Sequence, residues 1–298
     1  MPDSELERVA TLSTKDELTD HLVYQRLAGA YKTKKPEFSK ALDRLAAAEN
    51  KHYQFWSRYT KEPAKSPGFK VSLVLLLRLL LGTTFAVRYL EKDEKKVIAM
   101  YISVAESIPE GDRAAFQEML DDEIEHENLL ANQLEGSAVR YISFIILGLA
   151  DAIVEISGIH AGSLGIYKST EITGLAGIVA GAAASIAMAS AAFAQAKQGF
   201  KGKPSLSALF TGLSYFVNAV VLATPYFLTS DKFLALGTSV TLAIVIVAFI
   251  NYYNSVVSGT NFLRDFGELA GIMLGATGAL YLFGLLVSAV FGITTPSL

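Results

Sequence analysis

The sequence predicts an all-α protein with a four-helix bundle in residues 1–137 and five membrane spans in residues 138–298. The charges are unevenly distributed: residues 1–140 hold 20 of the 26 Lys and Arg and 23 of the 29 Asp and Glu. Hydrophobic residues make up 51 % of the chain, and the mean hydropathy of +0.36 is high for a soluble protein. Acids and histidines also recur at a fixed spacing within the first part.

Composition excludes several classes of function. The net charge of −3 gives no basic surface for a nucleic acid, so no nucleic-acid partner is expected. The chain has no cysteine, which rules out disulfides, zinc–thiolate sites, rubredoxin-type iron centres and thiol nucleophiles. The charged N-terminus lacks an apolar core segment, so no cleaved signal peptide is expected.

The first part is expected to contain two helical hairpins. Apolar residues recur at helical spacing from Thr14 to about Thr60, with a break at residues 34–36. Two prolines and a glycine in residues 61–68 end this pair. A second pair is predicted over Val71–Ser107 and Asp112–Leu134. Two hairpins of this kind favour a four-helix bundle.

Two E-x-x-H motifs lie in the bundle, and each follows another glutamate by 32 residues. The members of this repeat are Glu17, Glu49, His52, Glu91, Glu123 and His126. Because three-residue spacing places both side chains of a motif on one helix face, all six are expected to point into the bundle. Four carboxylates and two imidazoles are the ligands of di-iron and di-manganese bundles. The repeat therefore predicts a di-metal site that binds Fe or Mn.

Some ligand assignments stay open at this point. Glu94 competes with Glu91 for the third-helix position because it lies on nearly the same face. His21, one turn after Glu17, is either a ligand, a partner of a ligand or an ordinary surface histidine. The acids around the second motif are expected to form a solvated face or a secondary metal site; they are Asp121, Asp122, Glu125 and Glu127.

The apolar run from Val71 to Val87 is short for a membrane span and carries Arg78 at its middle. A span here would place the two E-x-x-H motifs on opposite sides of a membrane. We therefore expect a buried bundle helix that can also pack on a partner subunit or on the bilayer surface.

Residues 14–135 resemble the rubrerythrin branch of the ferritin-like family, with Tyr24 seven residues after Glu17. The resemblance implies a cytosolic ferritin-like bundle with a di-iron site. Rubrerythrin itself also has a cysteine-ligated iron that supplies electrons, which this chain lacks. A peroxidase with its own electron relay is therefore not expected.

The first predicted span contains two acids, Asp151 and Glu155, inside the apolar segment 145–158. Their four-residue spacing puts both on one helix face. An acid at the centre of a bilayer costs about 2.5–3.5 kcal/mol, so an intramembrane acid is expected to serve transport. The alternative is a half-buried pair bonded to serine or backbone groups of neighbouring helices.

Four charge-free runs follow, each longer than the roughly 20 residues that cross a bilayer: 172–196, 205–230, 233–263 and 269–298. Together with the acidic segment they predict five spans. The orientation follows from Lys and Arg in the short loops. With the bundle in the cytosol, the inner flanks hold Arg140, Lys197, Lys201, Lys203 and Arg264, whereas the outer loops hold Lys168 and Lys232.

Residues 138–294 resemble the vacuolar iron transporter family. The segment GLADAIVEISG, residues 148–158, is similar to its first-span signature, and Gly181, Ala184 and Met188 fit its second span. Arg264, Phe266 and Glu268, with Tyr281 and Gly284, fit its fifth. The acid that often follows the methionine is absent, and the connection between spans two and three lacks the glutamate-rich insert of plant members. Met188 alone could equally be apolar filler.

The two resemblances together imply a membrane-bound ferritin of prokaryotic cell membranes. Such a protein is expected to export Fe²⁺, or Mn²⁺, in exchange for protons, and to form a homodimer. The implied transport path comprises Asp151, Glu155, Met188 and Glu268. The ligand set does not separate Fe from Mn. The alternatives are a membrane-anchored di-iron oxidase or peroxidase, and an iron store at the membrane.

Overall fold

The computed structural model describes residues 2–61, 67–133, 137–167, 169–200 and 202–292. Within these ranges every regular element is helical and no strand occurs, which confirms the all-α prediction. The chain divides into two compact units, Met1–Gly136 and Ser137–Leu298.

The described part of the first unit contains six α-helices, and 3₁₀ turns lie in some of the connections. They are α1 (Pro2–Tyr31), α2 (Pro36–Ser57), α3 (Gly68–Leu81), α4 (Thr83–Leu90), α5 (Glu94–Val104) and α6 (Arg113–Gln133). Pro36 begins α2 at a position where its missing N–H costs nothing and its fixed φ suits a helix. Helices α1 and α2 form a hairpin, and α3, α5 and α6 pack on it.

Two apolar layers fill this unit, and the predicted ligands of α1 and α2 lie between them along the chain. One layer includes Tyr24, Leu27, Leu42 and Leu45. The other layer includes Val9, Phe55, Trp56, Tyr101 and Phe116. Burial of such side chains stabilises each by about 1.5–3 kcal/mol. The two layers thus fix α1 and α2 on both sides of the polar positions.

The third helical segment differs from the expectation of one buried helix. A positive φ of 91° at Gly82 separates α3 from α4, a conformation that glycine adopts without strain. A 3₁₀ turn at Glu91–Asp93 then separates α4 from α5. In α3 two side chains are buried, whereas Leu79 and Leu80 are 80 % and 68 % exposed. The expectation of a buried helix is wrong for α3 because its apolar residues surround the whole helix and the unit covers one side.

The second unit contains α7 (Ser137–Tyr167), α8 (Thr170–Ala196), α9 (Pro204–Ala223), α10 (Pro225–Leu228), α11 (Lys232–Ser258) and α12 (Phe262–Phe291). Among the described residues of this unit, five helical segments are long and apolar enough to cross a membrane, which confirms the predicted number. These segments are Tyr141–Tyr167, Thr170–Ala196, Pro204–Leu228, Lys232–Ser258 and Phe262–Phe291.

Helix α7 is the centre of the second unit because it packs on α8, α9, α11 and α12. Its contact with α12 depends on small residues: a Cβ on Gly284 would overlap the carbonyl group of Gly162. Such close backbone approach is typical of helix packing in membranes. The interior of the unit around α7 includes Ile153, Ile156 and Tyr215. The helix that carries the two acids is therefore held on most sides.

Candidate metal centre and membrane acids

Four buried side chains from three helices meet in the first unit. One ligand atom from each lies within 4.8 Å of the others; the residues, hereafter the buried cluster, are Glu17, Glu49, His52 and Glu123. Helix α1 supplies the first, α2 the next two and α6 the last. The cluster can hold a metal ion, since carboxylate oxygens and imidazole nitrogens together suit first-row transition metals.

The position of His52 among the carboxylates indicates whether the cluster fits a cation. Its Nδ1 lies 3.0 Å from Glu123 Oε1 and 3.5 Å from Glu49 Oε2. A third carboxylate oxygen, Glu17 Oε2, lies 3.7 Å away. The side chain is 2 % exposed, and neither ring nitrogen makes a hydrogen bond to a described residue. Because buried nitrogens are rarely left unpaired, this arrangement fits a cation shared by the three oxygens.

His126 and Glu91 extend the cluster. The Nδ1 atom of His126 lies 3.3 Å from Glu49 Oε1 and 3.8 Å from Glu123 Oε2. Its ring stacks on that of His52 with centroids 5.8 Å apart. Glu49 and Glu123 therefore each face both histidines, as bridging carboxylates would. One oxygen of Glu91 accepts a hydrogen bond from Tyr24, and the other is buried without a partner among the described residues.

The protons of the cluster are distributed unequally. Burial opposes ionisation of Glu49, but the neighbouring imidazoles of His126 and His52 outweigh it and hold the pKa of that carboxyl well below its usual range. Burial also opposes protonation of His52, but the carboxylates of Glu123 and Glu17 raise the pKa of its imidazole well above the usual value. Without a metal, His52 is therefore an imidazolium beside ionised Glu49.

Glu91 behaves differently from Glu49. Burial raises its pKa to about 8, while the hydrogen bond from Tyr24 acts in the opposite direction. Burial, followed by the charge of Glu123, likewise raises the pKa of Glu17 well above the ordinary value. Some ligand carboxyls thus carry protons near neutral pH in the metal-free protein, and a bound cation would have to displace those protons.

Sequence reasoning missed Asp20 and Tyr101. Tyr101 donates a hydrogen bond to Glu17, and one oxygen of Asp20 is buried without a partner among the described residues. Burial, and next the charge of Glu49, raises the pKa of Asp20 well above its usual range. A signal for Tyr101 was present, because it follows Glu94 by seven residues just as Tyr24 follows Glu17. In the structure each phenol bonds a carboxylate from the other half of the repeat.

The remaining predicted residues of this unit differ in their surroundings. His21 donates from Nδ1 to the carbonyl oxygen of Ala46, 2.6 Å away, which fixes it to the backbone of α2. Asp122 lies 3.5 Å from Nε2 of His52, whereas exposed Asp121 accepts a hydrogen bond from Gln117. The side chains of Glu94, Glu125 and Glu127 lie outside the described part of the chain.

In the second unit Asp151 is half-buried and Glu155 is exposed on α7. The phenol of Tyr215 on α9 donates to Glu155 Oε2 at 2.6 Å. Tyr215 itself is fully buried. The acid pair thus lies at the surface of a single copy of the unit, and a phenol from the neighbouring helix anchors one acid.

The other predicted path residues, Met188 and Glu268, lie in different surroundings. Met188 on α8 is partly buried against the apolar core that contains Ile153 and Ile156 of α7. Glu268 is exposed and forms an ion pair with Arg264 one turn earlier, with Nε and Oε1 2.9 Å apart. Among the loop cations used for orientation, Lys168 and Lys201 lie outside the described residues, as does the side chain of Arg140.

Sequence reasoning also missed His160. It is fully buried, and neither ring nitrogen has a hydrogen-bond partner among the described residues. Its ring lies 4.4 Å from that of Tyr226, and Gly177 leaves space for its Nε2. It follows Asp151 by nine residues, so it points from the opposite face of α7. The signal was its presence in an apolar segment where ionisable groups are rare.

The arrangement offers two distinct chemistries. The buried cluster presents carboxylates and imidazoles to a cation, while the acids of α7 can exchange a cation for protons. No family model, no curated protein and no solved structure matches the chain.

Proposed function

We propose that this protein is a membrane transporter that exports Fe²⁺, or Mn²⁺, from the cytosol. The observation that carries the proposal is the exposed carboxylate of Glu155, bonded to Tyr215, on a helix long enough to cross a membrane. A carboxylate within a membrane-spanning helix is energetically unfavourable, which favours a role in ion passage. Asp151, one turn earlier, would provide a second ligand for the same ion.

Protons are the proposed counter-ion. A carboxylate binds either a cation or a proton, so Asp151 and Glu155 would couple the two fluxes directly. Met188 would add a soft thioether ligand and Glu268 a further acid on the path. Because Glu155 is exposed on a single copy, we propose that a second copy covers it and that the path lies within a homodimer in the bilayer.

The first unit, in this proposal, is a ferritin-like bundle in the cytosol that captures or senses the metal. The support is the buried cluster, which collects ligands from three helices. The loop cations support a position of this unit on the inner side, because positive residues are enriched in cytosolic loops. The resident metals proposed for the bundle are iron or manganese, which accept the same oxygen and nitrogen ligands.

The test is Fe²⁺ flux into proteoliposomes under an imposed pH gradient. The native chain is compared with Asp151→Asn and with the double variant Glu49→Ala/Glu123→Ala. Asp231→Asn is the matched control because Asp231 caps the start of α11, and asparagine caps equally well. Flux that needs Asp151 and follows the pH gradient supports the proposal, whereas native flux equal to that of empty vesicles refutes it.

A membrane-anchored di-iron oxidase or peroxidase is the second candidate. It is favoured by the hydrogen bonds of Tyr24 and Tyr101 to Glu91 and Glu17, since such phenols are oxidisable groups beside the metal ligands. This candidate assigns no task to Asp151 and Glu155. Consumption of oxygen or peroxide by the native chain and by Asp151→Asn alike, without metal flux, would select it.

A further inference from the structure

A pocket of about 360 Å³ opens to the surface between α2 and α6 of the first unit. Its walls include His52, a member of the buried cluster, and Asp122. Three further charged side chains, Lys51, Arg58 and Glu118, also line the pocket. The pocket therefore connects solvent with one edge of the proposed metal site.

The ring of His52 lies between the pocket and the three carboxylates of the cluster. Its Nδ1 faces the carboxylates at 3.0 to 3.7 Å, and its Nε2 lies 3.5 Å from Asp122 Oδ2 on the pocket side. The ring is 2 % exposed and has no hydrogen bond to a described residue. An unpaired buried nitrogen thus points at an acid that solvent reaches, because the side chain of Asp122 is 31 % exposed.

The charges of the pocket leave this acid available. The Lys51 ammonium lies 3.9 Å from Glu118, and the Arg58 guanidinium pairs at 2.7 Å with Asp112. Among the ion pairs of the described residues, Asp122 has none with a lysine or arginine, and its one partner is His52. A cation that enters the pocket therefore meets Asp122 as an acid that is not paired with a lysine or an arginine.

We propose that this pocket is the entrance by which a divalent cation reaches the buried cluster, and that Asp122 is its first ligand. The cation binds Asp122 and then passes the edge of His52 to Glu123, the next residue of α6. This inference rests on the proposed metal-binding role of the cluster. It adds an entry site to that role and predicts that Asp122 controls the rate of loading more than the final affinity.

The experiment measures Co²⁺ uptake by the full chain in detergent, using stopped-flow absorption of the bound ion. Asp122→Asn should load about tenfold more slowly than the native chain, because a charged cleft raises association rates by at least that factor. The amount bound at equilibrium should be unchanged. Asp121→Asn is the matched control, since Asp121 is adjacent and exposed and bonds Gln117 instead; it should load at the native rate.

A second pair of variants tests the entrance without removing a charge. Ala115 lines the pocket and is exposed on α6, so Ala115→Trp should fill the space and slow loading. Ala114 is also exposed and lies outside the pocket lining, so Ala114→Trp should take up Co²⁺ at the native rate. Far-UV circular dichroism checks that each variant is folded.

The outcomes separate the inference from the proposed function. Native loading rates in both Asp122→Asn and Ala115→Trp would refute the proposal that this pocket is the entrance. A changed dissociation rate with unchanged association in Asp122→Asn would also overturn it, because Asp122 would then only orient His52. A native chain that takes up no Co²⁺ and no Mn²⁺ would instead refute the metal-binding role of the bundle, and the entrance with it.

Discussion

Tyr215 donates a 2.6 Å hydrogen bond to Glu155, so a buried phenol on α9 holds an acid on the exposed face of α7. This bond joins two of the membrane-length helices at a carboxylate proposed to bind the transported ion. Its removal therefore tests whether the position of Glu155 matters for flux.

Tyr215→Phe should lower Fe²⁺ flux about tenfold, because a hydrogen bond to a charged group contributes about 1.5–3 kcal/mol. Metal content of the first unit should stay at the native level. Proteoliposome flux and metal analysis measure the two quantities. Tyr226→Phe, which also removes a buried hydroxyl from the second unit, is the control; equal flux in the two variants would contradict the prediction.

Metal binding to the first unit should release protons. Burial raises the pKa of Glu91 to about 8, and the neighbouring carboxylates keep His52 protonated despite its burial. Near neutral pH these two groups, together with Glu17, lose protons when a cation occupies the site, so at least two protons should appear. The apparent affinity should accordingly fall as the pH falls below about 8. A pH indicator in weak buffer measures the release.

Glu91→Gln serves as the control for that measurement. It should release about one proton fewer than the native chain at neutral pH, because glutamine has no proton to give up. The difference should vanish above about pH 9, where native Glu91 has already ionised. A difference that is constant across this range would show that Glu91 is not a protonated group of the metal-free site.

Tyr101→Phe should weaken cation binding to the buried cluster. The phenol of Tyr101 bonds Glu17, and loss of such a supporting bond typically lowers metal affinity by about 10- to 100-fold. Titration with Co²⁺ measures the effect. Tyr31→Phe is the matched control, since Tyr31 lies in α1, the helix of Glu17, and its hydroxyl bonds Thr83 at 2.5 Å instead. An equal loss in both variants would mean that Tyr101 acts through general stability.

Gly284→Ala should destabilise the second unit. The added methyl group would overlap the carbonyl group of Gly162 where α7 and α12 meet, and overpacking of this kind costs about 1–3 kcal/mol. The midpoint of thermal unfolding in detergent should fall by several degrees. Gly278→Ala, on an open face of the same helix, should unfold at the native temperature or slightly above it, because alanine favours a helix more than glycine does. An equal decrease in both variants would contradict the role of the overlap with Gly162.

Hydropathy and charge were sufficient to predict the five membrane-length helices, because a long run without charges has few alternatives to a span. Periodicity did not predict the break at Gly82, since apolar residues on every side of α3 hide the point where the chain must turn. Both resemblances and the transport function remain predictions. The sequence does not reveal which parts of a long apolar segment the rest of the fold will cover.

The spacing of the E-x-x-H motifs predicted candidate ligands on α1, α2 and α6, and the structure brings Glu17, Glu49, His52 and Glu123 together. The same spacing could not show that Asp122 lies beside His52, because that contact depends on how α2 and α6 pack. Nor could it identify Tyr215 as the partner of Glu155, since 60 residues separate them. Contacts between distant segments follow from packing, which one sequence encodes only indirectly.

The gathering of Glu17, Glu49 and Glu123 also bears on the lifetime of the protein. A cation bound among these three side chains would stabilise the folded unit, because the opened state lacks the assembled site. A cation at a hundredfold excess over its Kd would stabilise the folded unit by about 2.7 kcal/mol. Proteases attack the opened state, and limited proteolysis at graded metal concentrations would measure the effect. Scarce metal would then shorten the survival of the protein, and abundance would follow supply without a change in synthesis.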